Sequence, residues 1–261
     1  MTLVVTALSH AGSAATPNRR YLLFPPAGAA LTALRNVVGD VSGVDVRGVE
    51  YPGRGGRIAD PLPTTLVDLA EQVAQELIER WCSRTVARLV LVGFSMGAFV
   101  ALEAAWRLHA RSGTAPAALV VIGAVAPQRR VLGRYARTDT GTLTRLLHRD
   151  GLAPGFQESP EVWDYAMELL RGDLRLVSGY PGPSFPRVPC PVAALCGADD
   201  HSLDSVEDAT DAWRAWTAGP FTSRVVHGGH LGLLAEGRGP EFWSWMCGLE
   251  KTFIAPVACD A

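Results

Sequence analysis

Residues 89–109 read LVLVGFSMGAFVALEAAWRLH, and this stretch decides the fold of the chain. It opens with four aliphatic residues, 89–92, which is the pattern of a strand buried on both faces. After the glycine-bounded residues 93–97, apolar side chains recur at helical spacing, for example at Ala98 and Leu102. The stretch therefore predicts a strand, a sharp turn and a helix.

The turn has the pattern Gly-x-Ser-x-Gly, with Ser95 between Gly93 and Gly97. Glycine suits both positions because a side chain there would collide with the adjoining strand and helix. Such a turn exposes the Ser95 hydroxyl at the edge of a sheet, as a nucleophile requires. The alternative is a chance match in a chain with 27 glycines, in which Ser95 only caps the helix. The strand before the turn and the helix after it favour the first interpretation.

The composition indicates one large soluble domain. The chain has 261 residues, of which 48% are hydrophobic, and its net charge of -2 does not favour a nucleic-acid binder. Five cysteines without a Cys-x-x-Cys pair indicate free thiols in a reducing compartment, and we predict no metal site and no cofactor. No apolar run reaches membrane-spanning length, and the N-terminus lacks the charge pattern of a signal peptide. We expect a cytoplasmic monomer without a membrane partner.

Strand and helix patterns alternate along the chain, which predicts an α/β fold with a mostly parallel central sheet and flanking helices. Predicted strands cover residues 21–24, 44–49, 89–92, 119–125, 192–196 and 222–226. Predicted helices cover residues 31–38, 66–81 and 240–253, together with one segment that includes Trp213 and Trp216. We expect a single domain over residues 19–261, preceded by a flexible tail over residues 1–18 with a short edge strand at residues 3–7.

The alternation stops at residues 127–186, where the pattern shows two helices, near residues 140–148 and 160–178, and no strong strand. We interpret this segment as an inserted helical lid over the crevice. It begins with a dense run of arginines: Arg129, Arg130, Arg134, Arg137, Arg145 and Arg149. Such a run is either a solvated helical face or a docking surface for an acidic partner, and for docking we single out Arg129, Arg130 and Arg134.

An acid and a histidine follow Ser95 in the chain, each in a loop after a predicted strand. This is the order Ser, acid, His of an α/β-hydrolase triad. A serine hydroxyl needs an imidazole to take its proton, and the imidazolium needs a carboxylate to hold it, so we assign these roles to His230 and Asp200. Asp199 is the alternative acid. We prefer His230 to His227 because Gly228 and Gly229 allow a flexible turn before it.

The loop at residues 25–30, PPAGAA, follows the first long strand and should border the same crevice. The oxyanion of the reaction would be held by the N–H of Met96 and by one from the Pro26–Ala27 part of this loop. A plain turn into the next helix is the alternative. The Gly-rich loop after residue 50 carries Arg54 and Arg57, which we interpret as solvated loop charges.

The chain resembles the type II thioesterases that accompany modular polyketide synthases and nonribosomal peptide synthetases, over nearly all of residues 21–253. The matching motifs are LFPPAG at 23–28, YPGR at 51–54, GFSMGA at 93–98, LRGD at 170–173 followed by Tyr180, AWR at 212–214, and GGH at 228–230. Several short matches in the right order are specific, whereas Gly-x-Ser-x-Gly alone would not separate this family from esterases.

The resemblance implies hydrolysis of acyl groups on the phosphopantetheine arm of acyl or peptidyl carrier proteins, in which the arm enters as part of the substrate. It also supports Asp200 as the acid and Ala27 as an oxyanion donor, and it makes the helical insert the lid of an acyl chamber. Carrier proteins are typically acidic, so the arginine run gains a partner by electrostatic steering.

Two residues depart from the family pattern: Phe94 stands where the family usually has His, and Leu231 opens a pair that is usually aromatic. We expect both, with Pro26, to line the substrate pocket. With these departures, two further interpretations stay open: that the chain prefers other acyl groups than the rest of the family, and that it has a specialised role in product release or acyl transfer. A general serine esterase and a carrier-binding protein without catalysis are the remaining alternatives.

Overall fold

A seven-stranded sheet forms the centre of the computed structural model, which describes residues 5–8, 19–39, 44–130, 139–149 and 159–254. The strands are β1 (Val5–Ala7), β2 (Arg20–Phe24), β3 (Asp45–Val49), β4 (Leu89–Phe94), β5 (Ala118–Ile122), β6 (Val192–Gly197) and β7 (Phe221–Val226). Their order across the sheet is β1-β3-β2-β4-β5-β6-β7, and every neighbouring pair is parallel except β1 with β3. The predicted α/β class with a mostly parallel sheet is confirmed.

Helices lie on both faces of this sheet. They are α1 (Arg35–Val38), α2 (Leu66–Arg80), α3 (Ser83–Val86), α4 (Met96–Ser112), α5 (Thr140–Arg149), α6 (Pro160–Gly179), α7 (Val206–Asp211) and α8 (Gly239–Thr252). Thr65 caps α2 by accepting a hydrogen bond from the N–H of Asp68, as its residue type predicts. Among the described residues, no helix is both long and apolar enough to cross a membrane.

The side chains of β4 divide the core into two layers. Leu89 and Leu91 pack in the layer that includes α2 and α4, whereas Val90 and Phe94 pack in the layer that includes α8. Alternation across a strand explains this division, because successive side chains point to opposite faces. Every residue of β4 is buried, in agreement with its uninterrupted aliphatic sequence.

The turn between β4 and α4 places Ser95 in a strained conformation, with φ 51° and ψ -114°. Ser95 is the only non-glycine residue with positive φ in the described part of the chain. Gly93 and Gly97 allow the turn to be this tight. A Cβ atom on Gly93 would lie 2.4 Å from the Cα of Ala98, and one on Gly97 would lie 2.2 Å from the carbonyl oxygen of Phe24.

The N-terminal segment is part of the sheet where the structure describes it. β1 pairs antiparallel with β3, from Val5 opposite Val49 to Ala7 opposite Arg47. The short edge strand expected within residues 3–7 is thus found at Val5–Ala7, where backbone hydrogen bonds extend the sheet. Residues 1–4 and 9–18 of the expected tail lie outside the described residues.

The segment between β5 and β6 contains α5 and α6, close to the two helices that the pattern predicts. Ser159 caps α6 and Pro160 occupies its first turn. α6 buries Met167, Leu170 and Val177 in the main core, so this helix is an integral part of the domain. Residues 131–138 and 150–158 of the segment lie outside the described residues.

Replacing Gly97 with Ala should lower the free energy of unfolding by about 1–3 kcal/mol, because the new methyl group forces the backbone of β2 and α4 apart. Gly248→Ala in α8 is the matched control, since nothing lies within 4 Å of a Cβ at that position. This control should be neutral or slightly stabilising, because alanine favours a helix over glycine. Urea unfolding of both variants measures the difference, and equal stabilities would contradict the close approach.

Candidate active site

Ser95, His230 and Asp200 form one hydrogen-bonded chain at the carboxyl edge of the sheet. The Nε2 atom of His230 is 2.9 Å from the Oγ atom of Ser95. The Nδ1 atom of His230 is 2.8 Å from the Oδ2 atom of Asp200. Asp200 is buried and His230 is partly exposed. The structure thus brings together the three residues that the sequence nominated, at distances suited to moving a proton from the serine to the imidazole.

Each of the three side chains follows the end of a parallel strand. Ser95 follows β4, Asp200 lies three residues beyond β6, and His230 lies four residues beyond β7. Two glycines allow these loops to approach one another. A Cβ atom on Gly123 would lie 2.5 Å from the carbonyl oxygen of His230, and one on Gly197 would lie 2.2 Å from that of Gly228.

The alternative acid and histidine point elsewhere. Asp199 is exposed and borders the cavity described below, with no hydrogen bond to His230 among those of the described residues. His227 is exposed, and its carbonyl oxygen accepts a hydrogen bond of 2.9 Å from Arg238. The geometry supports Asp200 over Asp199 and His230 over His227.

Ser202 belongs to the site and was missed by the sequence reasoning. Its hydroxyl donates to Oδ1 of Asp200 over 2.6 Å, and its backbone N–H donates to the same oxygen over 3.0 Å. Its Oγ atom also lies 3.2 Å from Nδ1 of His230. No sequence motif marks this residue, because its role depends on the turn that follows Asp200.

These contacts determine the charge of Asp200. Burial opposes ionisation, but the hydrogen bond and charge of His230, together with the bonds from Ser202, lower the pKa of the Asp200 carboxyl below its ordinary value. A folded-state pKa below the unfolded one stabilises the fold above the unfolded pKa, and this stabilisation is lost as the pH falls through the lowered pKa. Asp200 is therefore ionised at neutral pH, as a group that supports an imidazolium must be.

The two predicted oxyanion donors are the backbone N–H groups of Met96 and Ala27. Met96 is the first residue of α4, so its N–H has no acceptor within the helix. Ala27 lies in the loop that follows β2. The backbone groups of Pro25, Gly28 and Ala29 on either side of it form hydrogen bonds with side chains from other parts of the chain. The oxyanion assignment of Ala27 and Met96 is consistent with this placement and stays a prediction.

Arg54 and Arg57 are not solvated charges, and that expectation is wrong. Arg54 is only 2% exposed and donates to both carboxylate oxygens of Asp173, over 2.7 and 2.9 Å. Arg57 is 7% exposed and donates to the carbonyl oxygen of Glu50 and to Asp60. Arg54 turns inward because its partner comes from a distant segment, which the composition of the local loop does not reveal. Arg57 turns inward because groups of its own loop bind it.

A cavity of about 880 Å³ adjoins His230. Its walls come from the 28–36 segment, from α6 and from the loop after β7, and they include Ala29, Ala166, Leu169 and Leu231. Leu231 lines this cavity, and its contact with substrate stays a prediction. Most of the wall side chains are small or apolar, which suits an uncharged chain or group as the occupant.

Phe94 and Pro26 do not line this cavity. The Phe94 side chain is fully buried and packs against Phe242 of α8, with ring centroids 6.2 Å apart. The strand alternation described above explains the position, because residue 94 points away from the face that carries α4. The expectation that Phe94 contacts substrate is therefore wrong, and Pro26 is buried in the loop.

The three arginines nominated for docking differ in their surroundings. Arg129 is exposed, close to the end of β5. Arg130 turns inward: its guanidinium donates to the carbonyl oxygen of Val177 and lies 5.4 Å from the Phe99 ring and 5.1 Å from the Tyr180 ring. Arg130 is therefore no longer assigned to the docking surface, because its guanidinium binds a carbonyl group of α6. Arg134 lies outside the described residues.

Among the described residues, no three His, Cys, Asp or Glu side chains are grouped so that they could hold a metal ion. Burial raises the pKa of the Cys190 thiol to about 12 and also raises that of Cys196, so neither thiol is a ready nucleophile. The candidate nucleophile of the site is the Ser95 hydroxyl, which lies beside His230.

The fold and the Ser–His–Asp geometry define a serine hydrolase of the α/β-hydrolase class. A family model described as "Thioesterase domain" matches residues 19–242, and the chain belongs to that family.

Relatives with similar sequences come from biosynthetic pathways. A probable cadicidin biosynthesis thioesterase of Streptomyces griseus is 34% identical over 216 residues, which cover 82% of this chain. The chain spans only 58% of the length of that relative.

Solved structures of thioesterases are similar over almost their whole length. RedJ, a thioesterase from the prodiginine biosynthetic pathway in Streptomyces coelicolor, has 31% identity and a TM-score of 0.77, covering 92% of this chain and 95% of that one. BorB, a type II thioesterase from the borrelidin biosynthetic cluster, has 30% identity and a TM-score of 0.77, covering 95% and 96%. The resemblance to biosynthetic thioesterases is confirmed.

Replacing Asp200 with Asn should lower kcat roughly 10⁴-fold, because the amide stabilises the wrong tautomer of the His230 ring and cannot stabilise the imidazolium. Asp199→Asn is the matched control and should stay within a few-fold of the parent, since Asp199 does not bond to His230. Hydrolysis of a small acyl thioester at neutral pH measures both. A severe loss in the Asp199 variant alone would overturn the assignment of the acid.

Proposed function

We propose that this protein is a type II thioesterase, which hydrolyses acyl thioesters from the phosphopantetheine arm of acyl or peptidyl carrier proteins. The observation that carries the proposal is the 2.9 Å contact between Ser95 Oγ and His230 Nε2 in a chain that belongs to the thioesterase family. Relatives from cadicidin and prodiginine biosynthesis favour a synthase of secondary metabolism as the setting.

The reaction begins at Ser95. The hydroxyl oxygen attacks the thioester carbonyl while His230 takes its proton, and the C–S bond then breaks as His230 returns the proton to the departing pantetheine thiol. An acyl-enzyme ester on Ser95 results. In the second half, His230 takes a proton from a water molecule that attacks this ester, and it returns the proton to Ser95 as the carboxylic acid leaves.

The negative charge on the former carbonyl oxygen needs donors in both halves of the reaction. The N–H groups of Met96 and Ala27 serve this purpose, the first at the start of α4 and the second in the loop after β2. Asp200 stays ionised and holds His230 in the tautomer that accepts the serine proton.

The cavity beside His230 receives the acyl group in this proposal. Its walls of alanine, valine and leucine from α6 and the 28–36 segment favour an apolar acyl chain, and its volume of about 880 Å³ exceeds what an acetyl group fills. α6 would act as the lid of the chamber, since Val162, Tyr165 and Leu169 form one wall. The phosphopantetheine arm then enters with the substrate and no separate cofactor is needed.

Mass spectrometry of an acylated carrier protein tests the activity directly. Incubation with the protein should remove the acyl mass from the phosphopantetheine arm, and incubation with the Ser95→Ala variant should not, because the nucleophile is absent. Free pantetheine thiol on the carrier and released carboxylic acid should appear together. If a range of acyl groups stays on the carrier with both proteins, while a simple ester is hydrolysed, a general serine esterase is the better description.

Arg129 is the described residue that best fits carrier docking, since it is exposed near the carboxyl end of β5, at the edge of the sheet that carries Ser95. Arg129→Glu should lower kcat/KM several-fold for an acyl group on an acidic carrier at low salt and should leave a small thioester unaffected, because steering acts on the encounter rate. Arg80→Glu at the end of α2 is the control, and should affect neither substrate. Equal losses on carrier and small substrate would contradict docking at Arg129.

A further inference from the structure

We propose that Arg54 and Asp173 are positioning residues for the acyl transfer: their buried ion pair holds the oxyanion loop, residues 25–29, so that the Ala27 N–H faces the reacting carbonyl. The proposal rests on the proposed function for its substrate. It also connects the wall of the acyl cavity to the catalytic machinery, since Asp173 belongs to α6.

The ion pair between Arg54 and Asp173 has a fixed geometry. Arg54 and Asp173 are each 2% exposed, and the guanidinium binds the carboxylate through two parallel hydrogen bonds of 2.7 and 2.9 Å. Burial opposes the charge of Arg54, but the hydrogen bond and charge of Asp173 raise the pKa of its guanidinium. The Arg54 guanidinium therefore keeps its charge in spite of its burial.

The same two side chains bind the oxyanion loop on both sides of its turn. Oδ2 of Asp173 accepts a hydrogen bond of 2.7 Å from the Gly28 N–H, and Nη1 of Arg54 donates one of 3.2 Å to the Ala29 carbonyl. A third contact fixes the start of the loop, where the Tyr51 hydroxyl donates to the Pro25 carbonyl over 3.1 Å. Ala27 lies between these points, and its N–H takes part in none of the three bonds.

Packing from α6 supports the same loop. Gly28 has φ 75°, and a Cβ atom there would lie 3.1 Å from the Leu170 side chain. Leu170 and Asp173 are one helical turn apart, so they lie on the same face of α6 and together hold Gly28. The loop therefore has little room to move while α6 stays in place.

α6 faces the cavity with a neighbouring stripe, which includes Val162, Ala166 and Leu169. An acyl chain in the cavity thus contacts the helix that also holds Gly28 through Asp173. Displacement of α6 would withdraw the acceptor of the Gly28 N–H, and the Ala27 N–H would move with its neighbour. The same position of α6 is then required both to cover the acyl chain and to place the oxyanion donor.

A purely structural ion pair is the competing interpretation, and buried ion pairs are in general weak evidence for stability. The two interpretations differ in what is lost. A structural role predicts a lower melting temperature and unchanged kcat in the folded molecules, whereas a positioning role predicts a lower kcat with little change in KM.

The test uses Arg54→Lys, which keeps the charge and removes the two-pronged geometry. We expect kcat for a small acyl thioester to fall roughly 10- to 100-fold, less than complete loss of an oxyanion donor causes, with KM nearly unchanged. Affinity for an acyl trifluoromethyl ketone, whose adduct with Ser95 carries an oxyanion, should fall by a similar factor. The matched control is Asp60→Asn, which removes the partner of Arg57 and touches no part of the oxyanion loop.

A second variant covers the possibility that the lysine variant fails to fold. The double substitution Arg54→Met with Asp173→Leu replaces the pair by apolar side chains of similar volume, so that no unpaired buried charge is left. Circular dichroism and titration with a serine-reactive phosphonate give the folded, competent fraction of each variant. Folded variants with kcat and ketone affinity within twofold of the parent would overturn the positioning role.

The test of the positioning role and the test of the proposed function can fail independently of each other. Addition of Ser95 to the ketone transfers the hydroxyl proton to His230 and places the negative charge in the oxyanion site. No carrier takes part, so ketone affinity reports on the loop even in a protein that does not act on carrier-bound substrates. Failure of the wild-type protein to deacylate any carrier would refute the proposed function, whereas normal ketone binding by the folded variants would refute the positioning role.

Discussion

The site depends on the close contact of backbone with backbone at Gly93 and Gly97. Ser95 can hold φ 51° only because the strand before it and the helix after it approach more closely than any side chain allows, and Gly97 approaches the Phe24 carbonyl of the neighbouring strand. That contact fixes α4 against β2, the strand whose loop carries Ala27. One steric constraint thus sets the position of Ser95, that of the Met96 N–H, and the distance between α4 and the strand that precedes the Ala27 loop.

The parallel sheet supplies the rest of the arrangement. Because β4, β6 and β7 run in the same direction, the residues after each strand meet at one edge, and Asp200 and His230 reach Ser95 although they are 105 and 135 residues from it in sequence. Small residues make the final approach possible: Gly123 leaves room for the His230 backbone, and Gly197 for the loop before it. Ser202 then completes the hydrogen bonding of Asp200.

Much of this was predictable because it follows from local patterns. The run of aliphatic residues predicts β4, the glycine spacing predicts the turn, and the order Ser, acid, His after successive strands predicts which side chains meet. What the sequence could not reveal depends on distant partners. Arg54 looks like a loop charge until Asp173, 119 residues away, is seen to bind it. Phe94 looks like a pocket residue until the pleat of β4 turns it towards Phe242.

Two adjacent stripes of side chains on α6 have different contacts. One stripe, with Val162, Ala166 and Leu169, borders the cavity, and the adjacent stripe, with Leu170 and Asp173, holds the loop of Gly28. Evolution can therefore exchange alanine, valine and leucine on the first stripe for larger or smaller side chains and reshape the chamber, while the second stripe keeps its partners. Under the proposed function, such a helix would let related proteins differ in the acyl groups they accept while the contacts that hold the loop stay the same.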